Sequence, residues 1–412
     1  MIDGCQGASH RVDLGVDTRP PANDMLRRMR RVFRKLLLWF IAVAILGLSF
    51  PTVRSQGQIA FSIDSIFSPL ADAKSPGLAV LVRKNGDTLF ERGYGVRELR
   101  SLAKIDAQTN FRLASCSKQF TALSIMLLVH DGKLDYEEKV TDVFPDFPAY
   151  GKAITIRNLL NHTSGLPDYE DLMDAAEKRK GALIWTPTSQ IQDPEVLNLL
   201  EKETAGKFAP GTQWSYSNSG YVILGLVVAR ISGKPFSEFL RERIFIPVKM
   251  SQTLAFEKGK NEVSQRAYGH SKEGTVWRET DQSPTSATLG DGGIYSSLND
   301  LAKWDEALAQ HTLLSEEEMQ LALTHAKLTT EAQPKWPANS DRSEGTPVSY
   351  GFGWFLDPYR NRPRMWHYGD TSGFHTYIQR FPADHLTIII LCNRTDLDPE
   401  SLARRVSDLL LH

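Results

Sequence analysis

Cysteine is scarce in this sequence: there are 3 in 412 residues, Cys5, Cys116 and Cys392. No Cys-x-x-Cys, no His-Glu-x-x-His and no Cys/His cluster at ligand spacing occurs. These absences exclude the common zinc frameworks and predict a protein that works without a metal or organic cofactor. Gly-x-Ser-x-Gly is also missing, which argues against the nucleophile elbow of the α/β-hydrolases. Neither sign of charge is in excess. The formal net charge is −1, so a nucleic-acid partner is not expected. There is no internal repeat and no low-complexity tract. The apolar run from Leu36 to Phe50 falls short of the ~20 residues that a spanning helix needs.

What is there is an ordinary globular balance, 41% apolar and 24% charged, in a chain long enough for two or three lobes. The strong local bias lies near the N-terminus. Arg27, Arg28, Arg30, Arg31, Arg34 and Lys35 stand together with no acidic residue between Met25 and Lys35, and the apolar run follows them. A basic flank, an apolar stretch and then small residues is the design of a secretory signal. Val53-Arg54-Ser55 suits cleavage before Gln56. Residues 1–55 are therefore read as a cytoplasmic tail plus a signal peptide or a membrane anchor through residues 36–50, and residues 56–412 as the exported domain. The polar segment from Met1 to Asp24 is expected to come from an upstream start codon, with Met25 or Met29 the true start.

Periodicity places the main elements. Ile59, Ile63, Ile66, Phe67 and Leu70 recur at helical spacing. Leu78 to Val82 and Thr88 to Gly93 flank Asn85-Gly86, a hairpin signal. Phe120, Leu123, Met126 and Leu127 form one face of an amphipathic helix that Gly132 ends. From about 140 to 270 the chain reads as helices and loops, including Thr155 to Asn161 and Tyr221 to Ile231. Phe374 to Phe381 and Leu386 to Cys392 read as paired strands, and Asp398-Pro399 caps a last helix. The expectation is an α/β (α+β) fold. One antiparallel sheet, flanked by helices, is built from both chain ends, with a mainly helical lobe inserted between them.

Three constellations carry chemistry. In Ser115-Cys116-Ser117-Lys118, positions i and i+3 share a helical face, so Ser115 Oγ and Lys118 Nζ can meet at a helix start. A neutral lysine there can take the serine proton, and the helix N-terminus favours the anion that forms. In Tyr216-Ser217-Asn218, a tyrosine beside that lysine can serve as base. Lowering a phenol from about 10 to about 7 takes ~4 kcal/mol, and an ammonium ~4 Å away at an effective dielectric of ~20 supplies about that. In His367-Tyr368-Gly369-Asp370-Thr371-Ser372-Gly373-Phe374, a glycine just before a strand lets a substrate lie against the edge. The N–H groups of Asp370 and Ser115 are placed to form an oxyanion hole. Taken singly, each of these has a plain structural reading as well: a solvated helix start, a half-buried tyrosine, a glycine-rich hairpin with a surface histidine.

Together and in this order, Ser-x-x-Lys, Tyr-x-Asn and His-x-Gly resemble the signature of class C β-lactamases, D-Ala-D-Ala carboxypeptidases and related esterases. Tyr216 follows Ser115 by 101 positions and His367 follows Tyr216 by 151, a similar spacing. Leu159 to Pro167, Asp291 to Ser297 and Tyr350 to Trp354 resemble further segments of that family, and the likeness runs from about Ile59 to His412. It implies an acyl-enzyme on Ser115, with Lys118 and Tyr216 sharing the roles of base and proton donor. It gives Asn218 a hydrogen bond to Lys118 or to a substrate amide, and it sets His367, Gly369 and Asp370 along the substrate. Which of Lys118 and Tyr216 is the base stays open.

The third motif departs from the Lys-Thr-Gly of class C β-lactamases. Tyr368 replaces the threonine and His367 is only partly charged at neutral pH. That favours an esterase, peptidase or cell-wall carboxypeptidase, with small-molecule or peptide (peptidoglycan-like) substrates, over a dedicated β-lactamase. The alternative is a penicillin-binding cell-wall protein or sensor that acylates without efficient turnover. Glu195-Val196-Leu197-Asn198 resembles a deacylating segment of class A β-lactamases but precedes the second motif, and is read as part of a solvated helix. His162 is read as structural and Cys116 as a small buried filler; His375 lies on the strand beside the presumed site, with reach to substrate the lesser of its two readings. The substrate pocket is expected to be shaped by the loops at about 170–200 and 255–345.

Overall fold

The computed structural model describes residues 56–337 and 345–411, together with the isolated Arg34. The tail, signal and anchor expected over residues 1–55 lie outside these. Among the described residues no helix is long and apolar enough to cross a membrane.

The first helix, α1 (Gln56–Phe67), leads to the hairpin of β1 (Leu78–Lys84) and β2 (Asp87–Tyr94). Asn85 and Gly86 take φ of 55° and 86°, the two left-handed conformations that a type I′ turn requires. β1 is buried on both faces. Leu78, Val80 and Val82 pack with Ile63, Ile66 and Phe67 of α1, while Ala79 and Leu81 join the core on the other side of the sheet. The strand period of two thus feeds two cores at once.

The chain then runs through β3 (Phe111–Arg112) and a 3-10 turn (Ala114–Ser117) directly into α2 (Lys118–His130). α2 was expected to be amphipathic, and this is corrected: all of Lys118 to Leu128 is buried. Its polar residues are satisfied inside. Thr121 Oγ1 donates to the Gly290 carbonyl at 2.6 Å, and Ser124 Oγ to the Phe120 carbonyl at 2.8 Å.

Between 140 and 245 lie α3 (Val140–Val143), α4 (Ile156–Leu160), α5 (Tyr169–Lys180), α6 (Asp193–Glu201), α7 (Asn218–Ser232) and α8 (Phe236–Leu240). Their ends follow capping chemistry. Thr155 Oγ1 accepts from Asn158 N at the start of α4, Ser217 Oγ accepts from Gly220 N at the start of α7, and Gly233 closes α7 at φ 69°. The segment Glu195 to Asn198 falls in α6, with Glu195 and Asn198 exposed and Val196 buried. Next come β4 (Leu254–Ala255), the hairpin β5 (His270–Glu273) and β6 (Val276–Glu279), and β7 (Ile294–Ser296), which sits between β3 and β4 in a small sheet. Helices α9 (Leu298–Ala309) and α10 (Glu316–Ala322) follow.

The C-terminal part holds β8 (Phe355–Tyr359), β9 (Arg362–Thr371), β10 (Phe374–Phe381), β11 (Leu386–Cys392) and α11 (Pro399–Leu410). Asp398 caps α11 by accepting from Glu400 N and Ser401 N. The large sheet is antiparallel, in the order β2-β1-β11-β10-β9-β8. It joins both chain ends, as expected of the fold class. The third motif leads into the strand β10, as expected, but His367 to Thr371 is itself strand, the second half of β9, so Gly369 lies within a strand and the turn into β10 is Ser372-Gly373.

Candidate active site

The nucleophile candidate stands on a strained junction. Ala114 takes φ 47°, a left-handed conformation that costs a residue with a Cβ about 1–2 kcal/mol. Three bonds hold the junction. Leu113 N donates to the Ile294 carbonyl at 2.9 Å, Ile294 N donates to Ser117 Oγ at 3.2 Å, and Thr121 ties the loop at Gly290. β9 closes over the same point. A Cβ at Gly369 would fall 2.1 Å from the Leu113 carbonyl oxygen and 3.2 Å from Ala114 Cβ. Glycine is therefore required there to bring the strand backbone against the turn that carries Ser115.

Lys118 is fully buried. Its Nζ lies 3.0 Å from Ser115 Oγ, 2.9 Å from Asn218 Oδ1 and 2.9 Å from the Asp291 carbonyl oxygen. The last two atoms can only accept, so a neutral Lys118 spends both its N–H bonds on them and turns its lone pair to the Ser115 hydroxyl. Burial pulls its pKa down to about 8, against the opposing charges of Asp291, Asp168 and Glu170. Asn218 occupies the first turn of α7 because Ser217 is the N-cap. The same cap leaves Tyr216 outside the helix.

Tyr216 is partly buried beside Ser115, with its hydroxyl shielded from solvent and turned toward the Ser115 side chain. Burial pushes its pKa well above the usual value, and Tyr368 adds to this, while Ser115 pulls it down. The expectation of a phenol lowered by a neighbouring ammonium is corrected. Lys118 Nζ lies over the Tyr216 ring, 5.0 Å from its centroid, and desolvation of the phenolate outweighs any charge. The group adjusted toward neutral pH is the lysine.

His367 is corrected as well. It is fully buried and does not line the cleft beside Ser115. Its Nδ1 lies 2.6 Å from the Tyr368 carbonyl oxygen and its Nε2 lies 3.0 Å from the Tyr350 hydroxyl. The carbonyl only accepts, so Nδ1 donates to it, while Nε2 and the Tyr350 hydroxyl share a hydrogen bond. The ring packs behind Tyr216, with centroids 6.2 Å apart. His162 belongs to this aromatic layer. Its ring lies 4.4 Å from that of Tyr216, its Nδ1 accepts from Ser217 N at 3.2 Å, and burial holds its pKa well down.

The cleft beside Ser115 is lined by Glu170, Asn218, Asp291 and Asp370 among others. Asp370 is at the rim, its carboxylate paired with His375 Nε2 at 3.1 Å. Glu170 has its pKa raised to about 7, by burial first and then by Asp168 and Asp291. Tyr169, its neighbour, donates to Asp291 Oδ2 at 3.1 Å. Asp291, Glu170 and Tyr350 were given no role from the sequence. Asp291 and Tyr350 begin segments already singled out there, whereas Glu170 had no signal beyond following the Leu159–Pro167 segment. The wall lies at 169–170 and 285–292, inside or next to the loops expected to shape it. Cys116 and Cys392 are buried free thiols, and Cys116 Sγ donates to the His367 carbonyl at 3.3 Å.

A family model described as Beta-lactamase matches residues 63–411. Penicillin-binding protein 4* of Bacillus subtilis (strain 168) is 30% identical over 347 residues, covering 81% of this chain and 72% of that protein. Among solved structures, the octameric penicillin-binding protein homologue from Pyrococcus abyssi is similar at a TM-score of 0.69 and 25% identity, covering 87% of this chain and 77% of that one. The D-amino acid amidase from Ochrobactrum anthropi SV3, complexed with D-phenylalanine, shares the fold at a TM-score of 0.70 and 23% identity, covering 85% of this chain and 98% of that one.

Proposed function

The chain belongs to the beta-lactamase family of serine hydrolases, and on that premise we propose that it is an exported enzyme that cleaves small ester, amide or peptide substrates through an acyl-enzyme on Ser115. The observation that carries this reading is the geometry of Lys118, whose Nζ is held by Asn218 and Asp291 with Ser115 Oγ 3.0 Å away. Neutral Lys118 takes the Ser115 proton as Oγ attacks the substrate carbonyl carbon. The oxygen that becomes negative lies against the N–H groups of Ser115 and Asp370. Tyr216, protonated at neutral pH, gives its proton to the leaving group and recovers one from Lys118. Water then repeats the sequence in reverse and frees the acid. Export rests on the basic-then-apolar order of residues 25–50.

The cleft favours substrates other than a dedicated β-lactam. His367 is buried away from it, and the cleft lining holds the carboxyls of Glu170, Asp291 and Asp370 together with the guanidinium of Arg112. The amidase with D-phenylalanine bound is a neighbour of the same fold, which supports amides of amino acids among the substrates to try. A second reading, a penicillin-binding protein that acylates and turns over poorly, draws on the Bacillus subtilis relative.

The test is to incubate the full-length protein and Ser115→Ala with p-nitrophenyl butyrate, D-phenylalanine amide, nitrocefin and a fluorescent penicillin. Ester or amide turnover that is lost in Ser115→Ala, with little nitrocefin cleavage, is the expected result. Stoichiometric penicillin labelling without turnover selects the second reading. Equal behaviour of both proteins in every assay sinks both.

A further inference from the structure

The β9–β10 hairpin carries a charged pair that the chemistry above does not use. Asp370 stands opposite His375 across the turn at Ser372-Gly373, where Gly373 takes φ 79°. His375 Nε2 lies 3.1 Å from Asp370 Oδ1, and its Nδ1 lies 2.9 Å from the Leu397 carbonyl oxygen. Both partners are acceptors only, so the form of the ring that satisfies both is the imidazolium, with a proton on each nitrogen. Asp370 is the wall between two hollows. With Ser115 and Asn218 it lines the cleft. With His375, Leu397 and Glu400 it lines a surface cavity of about 320 Å³ on the other side.

We infer that His375 is a positioning residue for the reaction at Ser115: its ring, anchored on Leu397, holds and neutralises the Asp370 carboxylate, so that the Asp370 N–H meets the substrate carbonyl without a bare negative charge beside it. This rests on the acyl-enzyme reading above. The carbonyl oxygen gains negative charge in the transition state, and an uncompensated carboxylate nearby opposes that gain. Burial works against the charged ring, but Asp370, the Leu397 carbonyl and Asp398 prevail and raise its pKa. The remaining groups around it are Glu400, Tyr368 and Tyr377 at the cavity and Cys392 opposite it on β11. Glu400 is acidic and favours the same charge. The Cys392 thiol, pushed up to about 12 by burial, stays neutral.

The test compares the full-length protein with His375→Gln, His375→Arg, the double variant His375→Gln/Asp370→Asn and Ser115→Ala, using p-nitrophenyl butyrate hydrolysis as a function of pH. His375→Gln is expected to lower kcat about 10-fold with KM little changed, less than the ~10²–10³ lost when an oxyanion donor is deleted outright. Asp370→Asn in that background restores most of the loss, because the charge that needed neutralising is gone. Superimposed on the rise that Lys118 sets, the parent's profile carries a downward step where the imidazolium deprotonates, above the ordinary imidazole range. His375→Arg, with a permanent cation, keeps its activity and loses that step. A His375→Gln variant as active as the parent overturns the inference, and so does a loss that Asp370→Asn does not relieve, which marks a hairpin that needs only its packing. If Ser115→Ala hydrolyses as fast as the parent, the acyl-enzyme reading itself fails, and this inference with it.

Discussion

Lys118 and His367 come from the first and third motifs, and both are fully buried near Ser115. The fold treats them in opposite ways. Around Lys118 it sets three oxygen atoms within 3.0 Å, on elements far apart in the chain, and leaves a charge that burial has made easy to remove. Around His367 it sets aromatic rings, those of Tyr216, Tyr350, Phe355 and Tyr368, and ties the two ring nitrogens to one hydroxyl and one carbonyl. The first is a proton-handling node. The second is a wedge that keeps Tyr216 pressed toward the nucleophile. Being buried in the site is therefore not the same as acting in it: what differs is whether the polar atoms face Ser115 or face away.

The comparison breaks most sharply at the lysine. Lys118→Ala is expected to lower kcat/KM for ester hydrolysis by about 10³-fold, within the range of a lost general base. The parent's kcat/KM should rise with pH through about 8, because the base works only once it is deprotonated and Lys118 is lowered to about 8. Flat activity across that range would assign the base elsewhere. Asn218→Ala removes one of the two acceptors that aim the lone pair. Loss of a hydrogen bond to a charged group is worth ~1.5–3 kcal/mol, or about 10- to 100-fold in kcat, and steady-state kinetics on the same ester measures it. His367→Gln should behave differently. It removes the buried hydrogen bond between the ring and the Tyr350 hydroxyl, at ~1–3 kcal/mol of stability. It should lower the melting temperature while kcat stays within about five-fold of the parent, a loss far short of a lost acid or base. A loss as large as that of Lys118→Ala would erase the distinction between node and wedge.

How much of this was legible in the sequence follows the same division. The β1–β2 hairpin could be read because its turn is Asn85-Gly86, the pair that left-handed φ selects. The β8–β9 hairpin could not. Its turn is Arg360-Asn361, at φ 50° and 60°, without glycine, and Pro358 faces Pro363 across it, where proline argues against a strand. With β9 unrecognised, the direction of the His367 side chain could not be deduced, and a substrate-facing histidine was the natural expectation. Ser115 and Lys118 were readable because i and i+3 share a face whatever else the chain does. The Asp291 carbonyl was not, since a backbone oxygen carries no side-chain signal and only the loop from Gly290 to Ile294, bonded to Ser117 and Thr121, brings it to Lys118. The full burial of α2 was hidden for a related reason: Thr121 and Ser124 look solvent-facing until their hydroxyls find carbonyls inside.

The smallest expected effect is the finest probe of the lysine node. Glu170 lines the cleft and is among the charges that hold the Lys118 pKa up against burial. Glu170→Gln removes that charge and keeps the shape, so Lys118 should lose its proton more easily. The acid side of the kcat/KM profile then shifts to lower pH by a fraction of a unit, and the variant is more active than the parent just below pH 8. The sign is the informative part. If Lys118 were needed as the ammonium and Tyr216 as the base, removing an anion would weaken the working form of the lysine, and activity in that range would fall. A parallel shift with an unchanged plateau therefore favours the neutral lysine as base, whereas a lowered plateau returns that role to the tyrosine.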